Sequence, residues 1–447
     1  MNRIEQTRQR LMNSGRRIVN LSSGNPNEFG IYFDQKILED AYAKFLRDRA
    51  YKPDPKGDLR ARQAIQKFYA SRGLMVSPEQ IILTSGSSES YFHLFKMLAK
   101  PGEKILFPKP SYPLFEEIAR LAEIETGFYN LDEKDGWQID CENLETKMRD
   151  DVKAIALISP GNPTGAVLSA KTLRRVVKIA IRHQLPIISD EVFSEYMFDG
   201  KRFPRMAEIA LKAETQYSRA KSASGAPQPT VFTLNGFSKT YALPGLKLSW
   251  IVVTGPSNRP QKSGQPQRSP SYIEQLERSA DALLSTNQIS QAMAPVIIKK
   301  GQRFIKKLNR YLQKNRDLAV KTLGANPNIT FHVPEGGFYL FARIRGLEGR
   351  AGSWLRRGRG HLAPTQAQSA CGYEQSFAEQ TQPLSQLPAR RLLSDEDLVI
   401  ALMEKTGIFV HPGYFYDYDK GINILISLLP PEDNFEDNLK KILKFIS

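Results

Sequence analysis

This chain of 447 residues has four sets of polar residues that are suited to catalysis or ligand binding. Each set follows a short apolar run. They are the glycine and hydroxyl residues at 84–88, then Asn162, Asp190 and Lys239. Glycine and serine at the start of a helix suit a phosphate, because free backbone N–H groups point at the anion there. A lysine at a buried strand end is costly as an ammonium unless it is paired or used covalently. Taken singly, each set has a plainer interpretation: a capped helix, a β-turn or a solvated side chain.

The apolar runs that precede these residues alternate with helical patterns. The runs are bounded by Gly, Pro, Ser or Asn and lie at 80–83, 104–107, 154–158, 185–188, 231–234 and 248–253. Helical patterns lie at 58–72, 89–100, 113–122 and 169–183. The alternation predicts an α/β fold with a mostly parallel, doubly wound sheet, whose ligands bind beyond the carboxyl ends of the strands.

The remainder of the chain predicts a second, smaller α+β domain. A long helical pattern covers 285–323, and a terminal helix carries an apolar stripe from Phe435 to Ile446. We expect an N-terminal arm with part of the small domain at 1–47, a large domain at 48–297 and a small C-terminal domain at 298–447.

Three segments without sustained periodicity predict flexible surface insertions, at 216–230, 255–271 and 343–391. They hold +10 of the net charge of +16. A charge of that size raises nucleic acid as a partner. The clustered arginines near Trp354 in the third segment are a thin basis for it, and a basic loop without a partner is the better interpretation. Nucleic acid is therefore not an expected partner.

Cysteine usage and the apolar runs bear on the compartment. Cys141 and Cys371 stand far apart, which favours a reducing environment over a disulfide framework. No run approaches the roughly 20 apolar residues of a membrane span, and the first residues lack the apolar core of a secretory signal. The five histidines are scattered without metal-ligand spacing. We expect a cytoplasmic protein without a membrane partner or a metal site.

Further motifs, in order along the chain, make the sequence resemble the class I and II aminotransferases that depend on pyridoxal 5′-phosphate (PLP), which have fold type I. These motifs are Tyr51 with Gly57-Asp58-Leu59-Arg60, P-x-Y-P at 110–113, N-P-T-G at 162–165, P-x-G-G-F-Y at 334–339 and V-x-P-G at 410–413. The resemblance covers nearly the whole chain. It implies a large PLP-binding domain and transfer of an amino group from an amino acid to a 2-oxo acid through aldimine and ketimine intermediates.

The resemblance also implies a role for individual residues. Lys239 and Asp190 are the implied catalytic residues: the lysine bonds to the cofactor and moves a proton, and the carboxylate pairs with the pyridinium nitrogen. Gly24 and Asn162 are the implied substrate-binding residues. The implied cofactor-binding residues are Tyr51, Gly86, Ser87, Ser88, Tyr112, Asn162, Asp190, Ser238, Lys239 and Lys247. Tyr51 is expected to reach the phosphate of a neighbouring subunit, which implies a homodimer with shared sites.

Four positions depart from the family pattern. Lys247 stands for an arginine, Gly236 for a frequent serine and Phe193 for a tyrosine that donates to the cofactor. Leu425 aligns with the arginine that grips the substrate α-carboxylate, and a leucine cannot bind a carboxylate. Either another cation binds the carboxylate, or the substrate enters differently, or the amine lacks a carboxylate. A PLP-dependent carbon–sulfur β-lyase and a weakly catalytic PLP-binding regulator therefore stay open as alternatives.

Overall fold

The computed structural model describes residues 2–218, 228–256, 270–284, 286–346 and 394–447. Most of the three predicted insertions lies outside these residues, including Trp354 and the arginines near it. Two predicted boundaries are wrong. A helix continues to Ser218, inside the first segment, and a strand continues to Ile344, inside the third. The strand continues because Ile344 still pairs with Ile422 of its neighbour.

The described strands form a large central sheet and two smaller ones. Numbered along the chain, they are β1 (Val19–Asn20), β2 (Ile81–Thr84), β3 (Lys104–Lys109), β4 (Glu125–Asp132), β5 (Gln138–Ile139), β6 (Val152–Ile158), β7 (Ile187–Asp190), β8 (Val231–Gly236), β9 (Ser249–Thr254), β10 (Ile329–Phe331), β11 (Tyr339–Ile344), β12 (Ile408–Phe409), β13 (His411–Pro412) and β14 (Ile422–Ser427).

The central sheet has the order β2-β9-β8-β7-β6-β3-β4-β5. Strands β8, β7, β6, β3 and β4 are parallel to one another. Strand β9 runs antiparallel between β2 and β8, and β5 runs antiparallel to β4. The mostly parallel sheet confirms the predicted fold class, and each predicted apolar run overlaps one of its strands.

Both faces of the central sheet are covered. Along β6, Ile155 and Leu157 belong to one buried apolar cluster, whereas Ala154 and Ala156 belong to another. Successive side chains of a strand point to opposite faces, so the two clusters are the two sides of one sheet. Burial on both faces explains why these strands read as continuous apolar runs rather than alternating ones.

Helices form the layers over the sheets. In chain order they are α1 (Arg3–Asn13), α2 (Gln35–Arg47), α3 (Leu59–Ala70), α4 (Ser87–Leu98), α5 (Leu114–Leu121), α6 (Cys141–Thr146), α7 (Ala170–Arg182), α8 (Met206–Ser218), α9 (Phe237–Thr240), α10 (Tyr272–Ala282), α11 (Gln288–Lys300), α12 (Gln302–Leu323), α13 (Asp395–Thr406) and α14 (Glu432–Ile446). Within the described residues, no helix is both long and apolar enough to cross a membrane.

A smaller antiparallel sheet, of order β10-β11-β14-β13, lies in the C-terminal part of the chain. Helix α12 packs on α14, and α14 packs on α13. The N-terminal arm joins this part, because β1 pairs in parallel with β12 and α1 packs on α13. An ion pair of 2.7 Å between Arg3 and Glu396 links α1 with α13.

The predicted long helix at 285–323 is wrong in one respect, since it is two helices that meet at Gly301. A Cβ at Gly301 would lie 2.5 Å from the buried ring of Tyr241. The chain therefore turns where only glycine fits beside that ring. The apolar periodicity runs through both helices, so it did not reveal the break.

Candidate active site

A cavity of about 470 Å³ lies at the carboxyl ends of β6 and β7, next to the start of α4. It brings together most of the predicted site residues. Those that line it are Gly24, Ser87, Ser88, Tyr112, Asn162, Asp190 and Lys239. The N-terminal arm, the central sheet and the smaller sheet all contribute, since Asn20 and His411 also line the cavity. The site therefore forms only when the three parts of the chain are assembled.

Lys239 presents its amine to this cavity from the short helix α9. Its Nζ donates a hydrogen bond of 2.7 Å to the carbonyl oxygen of Gly24 in the arm. Burial lowers the pKa of the Lys239 ammonium to about 8, although the charges of Glu28 and Asp190 oppose that shift. The neutral amine, which is the nucleophilic form, therefore makes up roughly a tenth of the population at pH 7, far more than for an exposed lysine.

Buried hydrogen bonds fix the turn that carries Lys239. Asn235 Oδ1 accepts from the Gly236 N–H at 2.7 Å and from Thr240 Oγ1 at 2.9 Å. Its Nδ2 donates to the Glu191 carbonyl at 3.0 Å, which ties the turn to the segment after β7. The hydroxyl of Tyr196 donates to the carbonyl oxygens of Lys239 and Thr240. The lysine and the acidic strand end are thus held in one rigid unit.

Asp190 is a buried carboxylate at the end of β7. Burial raises its pKa to about 6, against the hydrogen bonds from the Val192 N–H and the Tyr91 hydroxyl and the charge of Lys239. Tyr91 Oη donates to Oδ2 at 2.8 Å, and the Val192 N–H donates to Oδ1 at 3.1 Å. An acid kept out of water in this way gains most from a cationic partner within the cavity.

Asn162 and Phe193 differ in what they offer to a ligand. Asn162 lines the cavity, and its buried Oδ1 has no hydrogen-bond partner among the described residues. A buried amide oxygen without a partner is costly, so this side chain is suited to a bound polar group. Phe193 is buried, and its ring centroid lies 6.0 Å from Lys239 Nζ. It contributes only an apolar wall.

The start of α4 has the features of an anion site. Gly86 precedes it with φ of 136°, and no side chain caps the helix there. Ser87 and Ser88 follow at the cavity wall. Lys247 Nζ lies 3.6 Å from the place that a Cβ on Gly86 would occupy. Free N–H groups, hydroxyls and an ammonium converge on one point, as a phosphate requires.

Four predicted site residues do not line the cavity, and one of them is Gly86, which lies just before α4. Lys247 lies beside the anion site, and Ser238 lies in α9 next to Lys239. Tyr51 is 64% exposed and is away from the cavity of its own chain. Its role toward a second subunit stays a prediction.

The glycine at 236 has a packing reason. A Cβ at Gly236 would lie 2.1 Å from Ser249 Oγ, on the neighbouring strand β9. The space that a serine at 236 would use is already taken by the side chain of Ser249.

Residues that sequence reasoning missed complete the cavity wall. Tyr91 follows Ser87 by one helical turn, so the i, i+4 spacing on α4 could have revealed it. His411 occupies the variable position of the V-x-P-G motif, and Tyr416 follows in the next turn. Nothing in the local sequence indicates that these two residues reach the cavity, because their position there depends on the pairing of β13 with β14.

Residues 16–434 match the family described as aminotransferase class I and II. The chain belongs to this family. It is 30% identical over 341 residues to glutamate-pyruvate aminotransferase AlaA of Escherichia coli K12, which covers 75% of this chain and 77% of that protein. It is also 30% identical over 346 residues to alanine aminotransferase of Mycobacterium tuberculosis H37Rv, with 76% and 74% covered.

Solved structures agree with this aminotransferase fold. An alanine aminotransferase from Pyrococcus furiosus superposes with a TM-score of 0.77 at 22% identity, covering 99% of this chain and 95% of that one. An aminotransferase from Escherichia coli gives a TM-score of 0.76 at 25% identity, with 100% and 94% covered. These findings confirm the predicted family, the fold type I architecture and the enzymatic class: the protein is a PLP-dependent aminotransferase.

The residues in the cavity fit PLP. The anion site at α4 matches its phosphate, the buried Asp190 matches a cationic ring nitrogen, and the unpartnered Asn162 Oδ1 shows spare hydrogen-bonding capacity in that side chain. Lys239 supplies an amine of lowered pKa for a covalent bond. An anion site, a buried acid and a buried lysine are all needed for this cofactor, and the chain has each of them.

Proposed function

We propose that this aminotransferase takes its amino group from an α-amino acid and gives it to a 2-oxo acid at the cavity around Lys239. The observation that carries the proposal is the buried Lys239 amine, with a pKa of about 8, in the same cavity as the buried Asp190. The relatives named for alanine, glutamate and pyruvate support these compounds as the first to test.

In this proposal each residue has one task. The cofactor, when bound, supplies a carbonyl group and an electron-withdrawing ring that acidifies the Cα–H bond of the donor. Lys239 Nζ holds the cofactor and later accepts and returns the Cα proton, for which a pKa near 8 is well matched. Asp190, as a buried carboxylate, would keep the ring nitrogen of the cofactor protonated. Asn162 orients the cofactor and the donor, and Gly24 closes the arm over them.

The remaining cofactor residues fall into two groups. Gly86, Ser87, Ser88 and Lys247 bind the phosphate at the start of α4, with Ser238 at the adjoining turn. Tyr112, which lines the cavity, packs on the ring.

We also propose a homodimer in which Tyr51 reaches the phosphate of the other subunit. The exposed side chains of Tyr42, Leu46, Tyr51 and Leu59 lie in a part of the chain that would be covered in such a dimer. The two distant cysteines favour the cytoplasm as the compartment.

A half-reaction tests the proposed activity. The PLP-loaded protein is mixed with single amino acids, beginning with L-alanine and L-glutamate, and the cofactor absorbance is followed while the products are analysed. We expect the aminated form of the cofactor and one equivalent of 2-oxo acid per site. Lys239→Ala should show neither covalent loading nor conversion.

Two other results would overturn the proposal. Release of free ammonia with pyruvate, without amination of the cofactor, would indicate a β-lyase. No conversion by any amino acid, in a protein that still loads the cofactor, would indicate a regulator.

A further inference from the structure

The family resemblance aligns Leu425 with the arginine that binds the substrate carboxylate, so this chain has no cation at that position. Leu425 stands there on β14, with no exposed surface. Among the described residues that line the cavity, Lys239 is the one ammonium or guanidinium, and the proposed reaction uses it. Apart from Lys239, no cationic side chain among these lining residues can bind a substrate carboxylate.

His411 is the direct neighbour of Leu425 across the smaller sheet, since the two residues pair in register between β13 and β14. Its ring lines the cavity, as does that of Tyr416. His411 Nδ1 and Tyr416 Oη are 2.9 Å apart. The Tyr416 carbonyl accepts from the Ser111 N–H at 3.0 Å, which fixes this turn beside Tyr112. The His411–Tyr416 pair is thus held at the cavity wall next to Leu425, the residue that replaces the arginine.

The pair offers a hydrogen-bond donor in either tautomer. If Tyr416 donates to Nδ1, the proton of His411 is on Nε2 and is free to donate. If Nδ1 carries the proton and donates to Tyr416, the phenol keeps its own O–H for another acceptor. One donor remains available in both arrangements.

Both groups of this hydrogen-bonding pair are neutral at physiological pH. Burial lowers the pKa of His411 to about 4. Burial and the neighbouring phenols Tyr339 and Tyr112 raise the pKa of Tyr416 well above its usual range. Among the described residues, the charged or titratable groups that shift the pKa of Tyr416 are these two phenols, and burial alone shifts that of His411.

We propose that His411 and Tyr416 bind the carboxyl end of the amino donor through neutral hydrogen bonds, in place of an arginine. This inference rests on the proposed function and names its substrate class. A neutral donor prefers a carboxylate over the carbonyl of an amide only modestly, by less than about 10-fold, whereas an arginine with two charged hydrogen bonds favours the anion strongly. The enzyme consequently accepts α-amino acids and their α-amides, and it requires an acceptor group on Cα.

The test compares three donors: the best amino acid of the half-reaction screen, its α-amide and its decarboxylated amine. For alanine these are L-alanine, L-alaninamide and ethylamine. We expect the acid and the amide to differ by less than about 10-fold in kcat/KM, and the amine to be about 100-fold poorer or worse. An amine as good as the acid, or an acid favoured more than about 1000-fold over its amide, overturns the inference.

Variants locate the binding group. His411→Phe should raise the KM of the acid and of the amide by about 10- to 100-fold and leave kcat within about threefold. His411→Gln keeps a neutral N–H and should recover part of the loss, and Tyr416→Phe should act in the same direction as His411→Phe. Tyr414→Phe is the matched control, because this exposed tyrosine of the same turn does not line the cavity.

Two further measurements separate binding from folding and from the proposed function. Calorimetric titration of the PLP-loaded variants with propionate should show the same loss without any turnover. Unchanged KM values and unchanged propionate binding in His411→Phe and Tyr416→Phe overturn the inference while transamination continues. Failure of the wild-type protein to convert any amino acid overturns the proposed function instead.

Discussion

Two ionisable groups of the cavity, Lys239 and Asp190, are shifted toward their neutral forms by burial, so the pKa of the lysine falls to about 8 and that of the aspartic acid rises to about 6. Each pKa shift reflects the free-energy cost of removing a charged group from water, and a suitable ligand lowers that cost. A cofactor that bonds to the amine and places a cation beside the carboxylate would remove both costs, so cofactor binding and stability of the site are coupled.

The rate of covalent cofactor uptake should therefore report the Lys239 pKa. Below pH 8 the buried ammonium cannot attack, so the rate should rise with pH and reach half its maximum near pH 8. Stopped-flow absorbance of the cofactor-free protein with PLP measures it. Glu28→Gln removes a charge that favours the ammonium, so its midpoint should move to lower pH. A midpoint near the value of a free lysine, about 10.4, would contradict the buried site.

The sequence predicted the site residues that belong to a recognisable motif. It missed the residues that reach the cavity only through the folding of distant segments. Lys239, Asp190 and Asn162 each stand after an apolar run, and the rule that ligands bind at strand ends found them. His411 and Tyr416 belong to the smaller sheet. Their place at the cavity depends on how that sheet packs beside the large one, which no local pattern encodes.

Among the elements, α4 has the clearest functional feature, because its first turn is left uncapped where the chain needs an anion. Gly86 allows the close approach, and Lys247 stands beside it from the segment before β9. The lysine provides a point charge without the planar fork of an arginine. The phosphate of the cofactor should therefore contribute strongly to binding, and part of that contribution should depend on Lys247.

Lys247→Met should weaken PLP binding by about 10-fold, since a hydrogen bond to a charged group is lost. Equilibrium titration of the cofactor-free protein gives the dissociation constant. Pyridoxal, which lacks the phosphate, is the matched ligand, and its affinity should not change. Lys247→Arg should bind PLP at least as tightly as the wild-type protein. Equal losses for PLP and pyridoxal would place Lys247 outside the phosphate site.

The elements themselves were predicted well wherever a single period governed a segment. The strands of the central sheet appear in the sequence as apolar runs because both of their faces are buried. The break at Gly301 was missed, since it comes from the ring of Tyr241, which lies far away in the sequence. Contacts of that kind can be read only from the folded chain.

Over the whole molecule, the arm, the large sheet and the smaller sheet meet at one cavity, yet Tyr51 remains outside it. Tyr51 is 64% exposed, and Leu46 and Leu59, which lie near it in the sequence, are also exposed. Exposed apolar side chains favour an interface when they lie together on one surface. In a symmetric dimer the same surface of both subunits would be buried, and Tyr51 of each subunit would reach the cofactor site of the other subunit.

Hybrid dimers test whether the sites are shared. Lys239→Ala and Tyr51→Ala chains, each weak alone at limiting PLP, are mixed, unfolded and refolded together. If Tyr51 serves the other subunit, every hybrid dimer contains one site with both residues intact, so about a quarter of all sites should recover wild-type activity. A mixture of Lys239→Ala with Lys247→Met is the matched control. Both of those residues belong to the same chain's site, so no intact site can form and activity should stay low. Equal recovery in the two mixtures would exclude the shared site, and recovery in neither would place Tyr51 with the cofactor of its own chain.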